Sequence, residues 1–201
     1  MKKLLFIVCL ISTAGFLQKA NAQAQVAIGV KGGLNFAKVD VDNISTDGRT
    51  GFHGGAFVLF KVSKIGIQPE LIFSKQGSSF KANTQDLKAN YDYINIPIIL
   101  KLYTVAGINL QVGPQFGFVT KAEQDVLDVN NVKTTADVKD QLKGSDISAA
   151  IGVGWDLPFG LTIDARYNLG LSKINDGSGS PEAKNQVFQV SAGYKLFKLG
   201  K

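Results

Sequence analysis

From Gly160 to Leu171 the chain reads GLTIDARYNLGL, and its side chains alternate without a break. Leu161, Ile163, Ala165, Tyr167, Leu169 and Leu171 are apolar, while Thr162, Asp164, Arg166 and Asn168 between them are polar or charged. Successive side chains of a β-strand point to opposite faces, so this stretch is a strand with one apolar and one polar side. The pattern recurs along the chain. Val26, Ile28, Val30, Leu34 and Phe36 oppose Lys31 and Asn35, and Ile65, Ile67, Pro69, Leu71 and Phe73 oppose Gln68, Glu70 and Ser74. Ile94, Ile96, Ile98, Leu100 and Leu102 oppose Asn95 and Lys101; Ile108, Leu110, Val112, Pro114, Phe116 and Phe118 oppose Asn109, Gln111 and Gln115. Ile147, Ala149, Ile151, Val153 and Trp155 oppose Ser148, Gly152 and Gly154, and Phe188, Val190, Ala192, Tyr194 and Leu196 oppose Gln189, Ser191 and Lys195. Only GFHGGAFVLFKV is mixed, because Phe57 and Leu59 oppose Ala56, Val58 and Phe60.

These eight segments run to roughly 10 to 13 residues, longer than the strands of ordinary globular sheets and long enough to cross a bilayer at a tilt. An even number of antiparallel strands can close on itself and leave no edge, which is the condition for a sheet to sit in lipid. A soluble eight-stranded barrel would point the apolar set inward and the polar set to water. The polar set decides against it. It is rich in Gly, Asn, Gln and Ser with an occasional charge, whereas a wetted surface would carry about 25–35% charged residues. The expected fold is therefore all-β, an eight-stranded antiparallel up-and-down transmembrane β-barrel.

Connections point the same way. VSK, TVA and DLPF join strands two to three, four to five and six to seven, whereas the joins after strands one, three, five and seven are long and polar. Outer-membrane barrels alternate short periplasmic turns with longer extracellular loops in this manner. With both termini periplasmic, Phe36, Phe73, Phe118 and Phe188 fall near the outer rim, and Phe60, Trp155, Phe159 and Phe197 near the periplasmic one. Two aromatic belts flanking an aliphatic band are what interfacial solvation of aromatic rings predicts.

The first 22 residues read as a separate element. Lys2 and Lys3 precede the apolar stretch Leu4–Leu17, and Ala20-Asn21-Ala22 supplies a small-x-small cleavage site, as in a secretory signal peptide. The barrel domain then spans residues 23–201 and begins at Gln23. Cys9, the one cysteine, falls in the signal, which removes thiolate chemistry and disulfides from the mature chain. Without Lys2, Lys3 and Lys19 the 22 basic residues fall to 19 against 16 acids. No basic cluster interleaved with aromatics marks a nucleic-acid surface.

Four segments, GIQPELIFSKQG (66–77), YINIPIILKLY (93–103), GPQFGF (113–118) and DVKDQLKGSDISAAIGVGWDLPFGLTIDARYNLGLSKI (137–174), resemble the PorT-type outer-membrane β-barrel proteins typical of Bacteroidota. The resemblance implies a barrel inserted from the periplasm, with some relatives tied to secretion machinery. One departure is the KLGK that follows Phe197, where many such barrels end on the aromatic itself.

Inward parity assigns Lys31, Gln68, Glu70, Asn95, Lys101, Gln111, Gln115, Asp164, Arg166, Asn168 and Lys195 to a polar network filling the lumen. Isolated charges in a narrow interior are costly and should pair, with Glu70 and Asp164 accepting from Arg166, Lys101 or Lys31 and with Arg166 bridging two carboxylates. An eight-stranded barrel leaves room for little beyond its own side chains, so a small-solute pore conflicts with the strand number. His53, the sole histidine, lies at the outer end of strand two, with Asp47, Ser74 and Ser78 as neighbours in principle. No nucleophile motif accompanies it. Asp40–Gly48 has the look of a calcium loop, but Ile44 occupies a ligand position and no glutamate closes it. No cofactor is expected. In the longest join Thr135 can cap, and Val138 with Leu142 makes an i, i+4 pair, which predicts one or two helical turns over the barrel mouth. The expected role is non-enzymatic: an outer-membrane barrel acting through its extracellular loops in envelope integrity, partner binding or secretion-machinery support. Its expected partners are lipid and lipopolysaccharide, the barrel-insertion machinery and an envelope protein, and it is expected to be monomeric. The alternative is an outer-membrane lipid- or peptide-hydrolysing enzyme with its site at the rim near His53.

Overall fold

The computed structural model describes residues 24–41, 47–82, 85–127, 132–139, 144–172 and 183–200. The strands are β1 (Ala24–Val41), β2 (Asp47–Val62), β3 (Ile65–Ala82), β4 (Gln85–Tyr103), β5 (Ile108–Leu127), β6 (Lys133–Asp137), β7 (Ser145–Asp156), β8 (Leu161–Gly170) and β9 (Ala183–Leu199). Every pairing is antiparallel, each ring strand pairs with the next one along the chain (β5 with β7, past the short β6), and β9 returns to β1 with Gly33 opposite Ser191, so eight strands close into an up-and-down ring. The short β6 pairs with β5 alone, beyond the end of β7.

The faces of the ring follow the alternation in the sequence. On β8, Ile163 and Leu169 are exposed on the outside, while Asp164 and Arg166 are 1% and 3% exposed on the inside. The same arrangement holds around the ring, so a continuous aliphatic band faces outward, far larger than any patch a monomeric soluble protein exposes. No helix among the described residues is long and apolar enough to cross a membrane; the crossing elements are strands. The mixed parity of β2 has a local cause. Phe57 and Leu59 are buried with Ala27 inside the short-turn half of the barrel, where they form a small apolar cluster beside the polar lumen.

Short turns join β2 to β3, β4 to β5 and β7 to β8. In the second, Ala106 and Gly107 both take positive φ (54° and 82°), a conformation glycine adopts at no steric cost. Thr104 N–H donates to Ile108 O at 2.8 Å and closes that turn.

At the other end three expectations change. Much of what reads as long loop is strand: β1 runs to Val41 and β2 starts at Asp47, and β3 and β4 leave only residues 83–84 between them. Beyond the apolar band the outer strand face no longer has to be apolar, so the sequence loses its contrast while the backbone ladder continues and Leu87, Ala89 and Tyr91 stay buried on the inner face. Of the calcium-like stretch, residues 40–41 and 47–48 are strand ends, and residues 42–46 lie outside the described residues. The predicted helical turns give way to β6: Thr135 lies in a strand and donates to Asp125 Oδ1 at 3.2 Å, and Val138 packs under Tyr91, Tyr93, Val119 and Ala122. An isolated helical turn is marginal in water, whereas the edge of β5 offers a ladder to pair with. Leu142 lies outside the described residues.

Candidate functional site

The described interior is built in layers. Beside the apolar cluster runs a chain of charges with alternating sign. The Arg166 guanidinium meets Glu70 with both terminal nitrogens, Nη1 to Oε2 at 2.9 Å and Nη2 to Oε1 at 2.6 Å. Lys31 then spans two acids, 3.6 Å from Glu70 Oε2 and 3.0 Å from Asp164 Oδ2. Lys101 repeats the move, 3.7 Å from Asp164 Oδ1 and 3.2 Å from Asp156 Oδ1. Lys195 ends the series on Asp156 Oδ2 at 2.8 Å. Four cations and three carboxylates thus run Arg166–Glu70–Lys31–Asp164–Lys101–Asp156–Lys195, contributed by six strands.

Amides complete the coordination. Gln111 donates to Asn109 Oδ1 at 2.8 Å and to Asp164, and accepts from Arg166 Nε. Gln68 Nε2 donates to Glu70 Oε1 at 2.7 Å. Tyr103 O–H donates to Asp156 Oδ2 at 2.7 Å. Gly154 keeps this space clear, because a Cβ there would meet Gln111 Nε2, Asp164 Oδ1 and Asn109 Oδ1. The geometry differs from the expected hub. Arg166 spends its whole fork on one carboxylate, the bidentate pairing its plane favours, and the bridging between acids falls to the two lysines.

A second, neutral cluster lies toward the outer end. His53 Nδ1 is 2.7 Å from Asn35 Oδ1 and its Nε2 is 2.8 Å from Ser191 Oγ, which ties β2 across β1 to β9. Asn35 Nδ2 donates to Ser74 Oγ at 2.8 Å, and Gln189 Nε2 donates to Asn35 Oδ1 at 2.9 Å. Asn168 Nδ2 donates to Gln189 Oε1 at 2.8 Å, which joins the two clusters along β8. His53 is therefore inside the barrel, and its neighbours are Asn35 and Ser191; the side chains of Asp47 and Ser78 lie outside those described. Gln115 and Asn95 face inward on β5 and β4, and Asn95 Nδ2, Asn168 Oδ1 and Gln68 Oε1 have no hydrogen-bond partner among the described residues. Above them Tyr91, Tyr93, Val119, Ala122 and Val138 form an apolar lid.

Around the outside, Phe36 and Phe188 pair with ring centroids 6.2 Å apart, and Phe73 and Phe118 both lie opposite Ile94. At the short-turn end Phe60, Trp155, Phe159 and Phe197 are exposed, and Trp155 Nε1 donates to Ala106 O at 3.0 Å. Phe52, Tyr167 and Tyr194 also face outward; their parity marks them, although they were not among the expected belts. Asp156, Asn35, Ser191, Gln189, Tyr103 and Asn109 were likewise missing from the expected interior network. For Asp156 the available signal was parity, since it continues the inward series Ser148, Gly152 and Gly154 into what looks like a turn.

Beyond the band, Lys133 Nζ lies 2.7 Å from Asp125 Oδ2 across the β5–β6 hairpin. That hydrogen bond holds the Asp125 carboxyl below the usual carboxylate range. No group of three or more His, Cys, Asp or Glu among the described residues has the arrangement of a metal site.

Residues 18–176 match the family model described as outer membrane protein beta-barrel domain. The fold is similar to that of Ail, the attachment invasion locus protein of Yersinia pestis, with 16% identity, 88% of this chain and 99% of that one covered, and a TM-score of 0.54. It is also similar to Neisserial surface protein A, with 13% identity, 85% and 99% covered, and a TM-score of 0.53. At these identities the likeness shows the fold alone. No curated protein matches the chain in sequence.

Proposed function

Because the chain belongs to the outer membrane protein beta-barrel domain family, we propose that it is a non-enzymatic outer-membrane barrel that works through what it displays outside the bilayer. The observation that carries this reading is the seven-member charge chain, each member of which meets an opposite charge, so that the middle of the lumen is filled as a plug. The displayed part is the set of strand extensions on β1 to β6 and β9. Both termini are periplasmic, since the short turns lie at the end where β1 begins and β9 finishes. Residues 1–22 are a signal peptide, so the mature chain starts at Gln23, which intact-mass measurement of the membrane-extracted protein tests. Within the family the chain is of the PorT type, on the four segments that carry that resemblance. Its surroundings are lipid and lipopolysaccharide, it is inserted by the barrel-insertion machinery, and it acts as a monomer that engages an envelope protein through the extensions. Crosslinking in intact cells tests the role: partners should be captured from positions on the β5–β6 hairpin, and capture from turn positions such as Val105 instead would overturn it.

One observation favours a second reading. Ser191, His53 and Asn35 form a hydroxyl–imidazole–amide series of the kind that activates a nucleophile. All three are nearly or fully buried inside the barrel, which favours a clamp between β1, β2 and β9. Unchanged envelope lipids and unchanged esterase turnover in Ser191→Ala support the clamp; loss of an ester-cleaving activity in that variant would establish the enzyme.

A further inference from the structure

The mouth at the short-turn end carries charge that the plug does not use. On β9, Lys195 faces the lumen, and strict alternation would send Lys198 out into lipid. The register between β1 and β9 shifts between Ile28 and Gly29: Gly29 pairs with Lys195 and Ile28 with Phe197, so Leu196 is the extra residue of a β-bulge. The bulge resets the parity. Phe197 turns outward, and Lys198 comes opposite the buried Ala27 on the lumen side. Re-aiming a side chain is what bulges at barrel rims do. Across β1, Gln25 pairs with Lys61 of β2, whose ammonium lies 4.0 Å from the centroid of the Tyr103 ring. Tyr103 and Lys195 in turn share Asp156.

The mouth therefore gathers Lys61, Lys195 and Lys198 around one acid. In the described stretches at this end (24–28, 60–67, 101–110, 155–162 and 195–200) Asp156 is the only carboxylate side chain, and Lys101, Lys195, Tyr103 and Asn109 already coordinate it. Lys61 and Lys198 have no acidic partner among the described residues. Just outside the same rim Phe60, Phe197 and Leu199 are exposed to the membrane, so one molecule with an anionic head and apolar tails can satisfy both sides of the rim.

We propose that this mouth is a phosphate-binding site in which Lys61 and Lys198, beside the Lys195–Asp156 pair, receive the head of an anionic phospholipid from the adjoining leaflet. The proposal rests on the outer-membrane reading above. Lysine suits the task as a compact point charge with three donors. The lipid's phosphate turns under the rim while its acyl chains stay against Phe197, Leu199 and Phe60.

The test uses the full chain refolded in zwitterionic phosphatidylcholine–detergent micelles, with native mass spectrometry reading retention of phosphatidylglycerol against phosphatidylcholine of equal chain length. The folded protein should prefer phosphatidylglycerol, and Lys61→Gln/Lys198→Gln should weaken that preference roughly twenty-fold, as about fivefold per lysine implies. Lys64→Gln, which removes an exposed charge from the neighbouring turn and none from the mouth, should change it by clearly less than the roughly fivefold loss expected per contacting lysine. Should the double variant fail to fold, Lys198→Gln alone is read, with about a fivefold loss expected. An equal loss in Lys64→Gln overturns the proposal by showing diffuse surface charge. Lysine-dependent binding of inorganic phosphate without any preference for phosphatidylglycerol overturns the lipid source. A barrel that conducts ions yet keeps the lysine-dependent preference would sink the plugged-lumen reading and leave this one standing.

Discussion

Replacing Arg166 by methionine removes the guanidinium that holds both oxygens of Glu70. Glu70 then keeps only Gln68 Nε2 at 2.7 Å and Lys31 at 3.6 Å in a site 4% exposed. Breaking a buried pair by removing one member costs about 3–5 kcal/mol, because the remaining charge stays desolvated. That is a change of roughly two to four powers of ten in the folding equilibrium. Glu70→Met should cost a similar amount, since it strands Arg166. The double variant Glu70→Met/Arg166→Met should cost far less than the two singles together, because paired apolar side chains of similar volume replace buried ion pairs nearly neutrally. The assay is reversible urea unfolding from phosphatidylcholine vesicles, followed by the fluorescence of Trp155, the only tryptophan in the chain. Because the pair is inside, the cost should also be unchanged by added salt, which screens surface charges alone. Singles that each cost under about 1 kcal/mol, the range of surface salt bridges, or a double variant that costs their sum, would refute the buried-plug account.

Gly154→Ala should destabilise the barrel by about 1–3 kcal/mol in the same assay, since a methyl there enters the space of Gln111, Asp164 and Asn109. Ile151→Lys, on the exposed band, should impair insertion by about 2–4 kcal/mol if it lies at the bilayer midplane, read from folding yield in vesicles. The Asp125 carboxyl is depressed by its hydrogen bond to Lys133, so the stability it lends the β5–β6 hairpin is present above the unfolded-state value of about 3.9 and lost as pH falls through the lower folded value. Amide NMR shifts of Lys133–Asp137 should therefore move toward unpaired values at that acid end, and Asp125→Asn should abolish the pH dependence.

The ring was legible because lipid on one side and a polar lumen on the other force a period of two over the whole bilayer width. Where that contrast ends, so does the signal. In residues 78–82 and 85–90 the apolar positions are few, with Leu87 and Ala89 the buried ones of β4, and the strand character comes from the backbone ladder between β3 and β4. Phe57 and Leu59 blur β2 because the lumen holds a buried apolar cluster there, which no alternation rule anticipates. Thr135 and Val138 fit a helix locally, but the free edge of β5 outweighs so short a helix. In the lumen, parity indicates which side chains face inward, and it says nothing of who meets whom. Arg166 and Glu70 are 96 positions apart and lie on β8 and β3, strands that do not pair, so their meeting depends on the closure and tilt of the ring. Asp156 reads as a turn residue because Leu157 and Pro158 follow it, although its parity is inward.

The central claim is that the aliphatic face meets acyl chains and the charged face meets the barrel's own interior. Spin labels placed singly from residue 161 to residue 170 of β8, in protein refolded into bilayers, test it directly. Collision with oxygen, which concentrates in lipid, should peak at 161, 163, 165, 167 and 169, while labels at 162, 164, 166 and 168 should be shielded from both oxygen and a water-soluble nickel complex. Peaks at the even positions, or nickel access at every position, would contradict it.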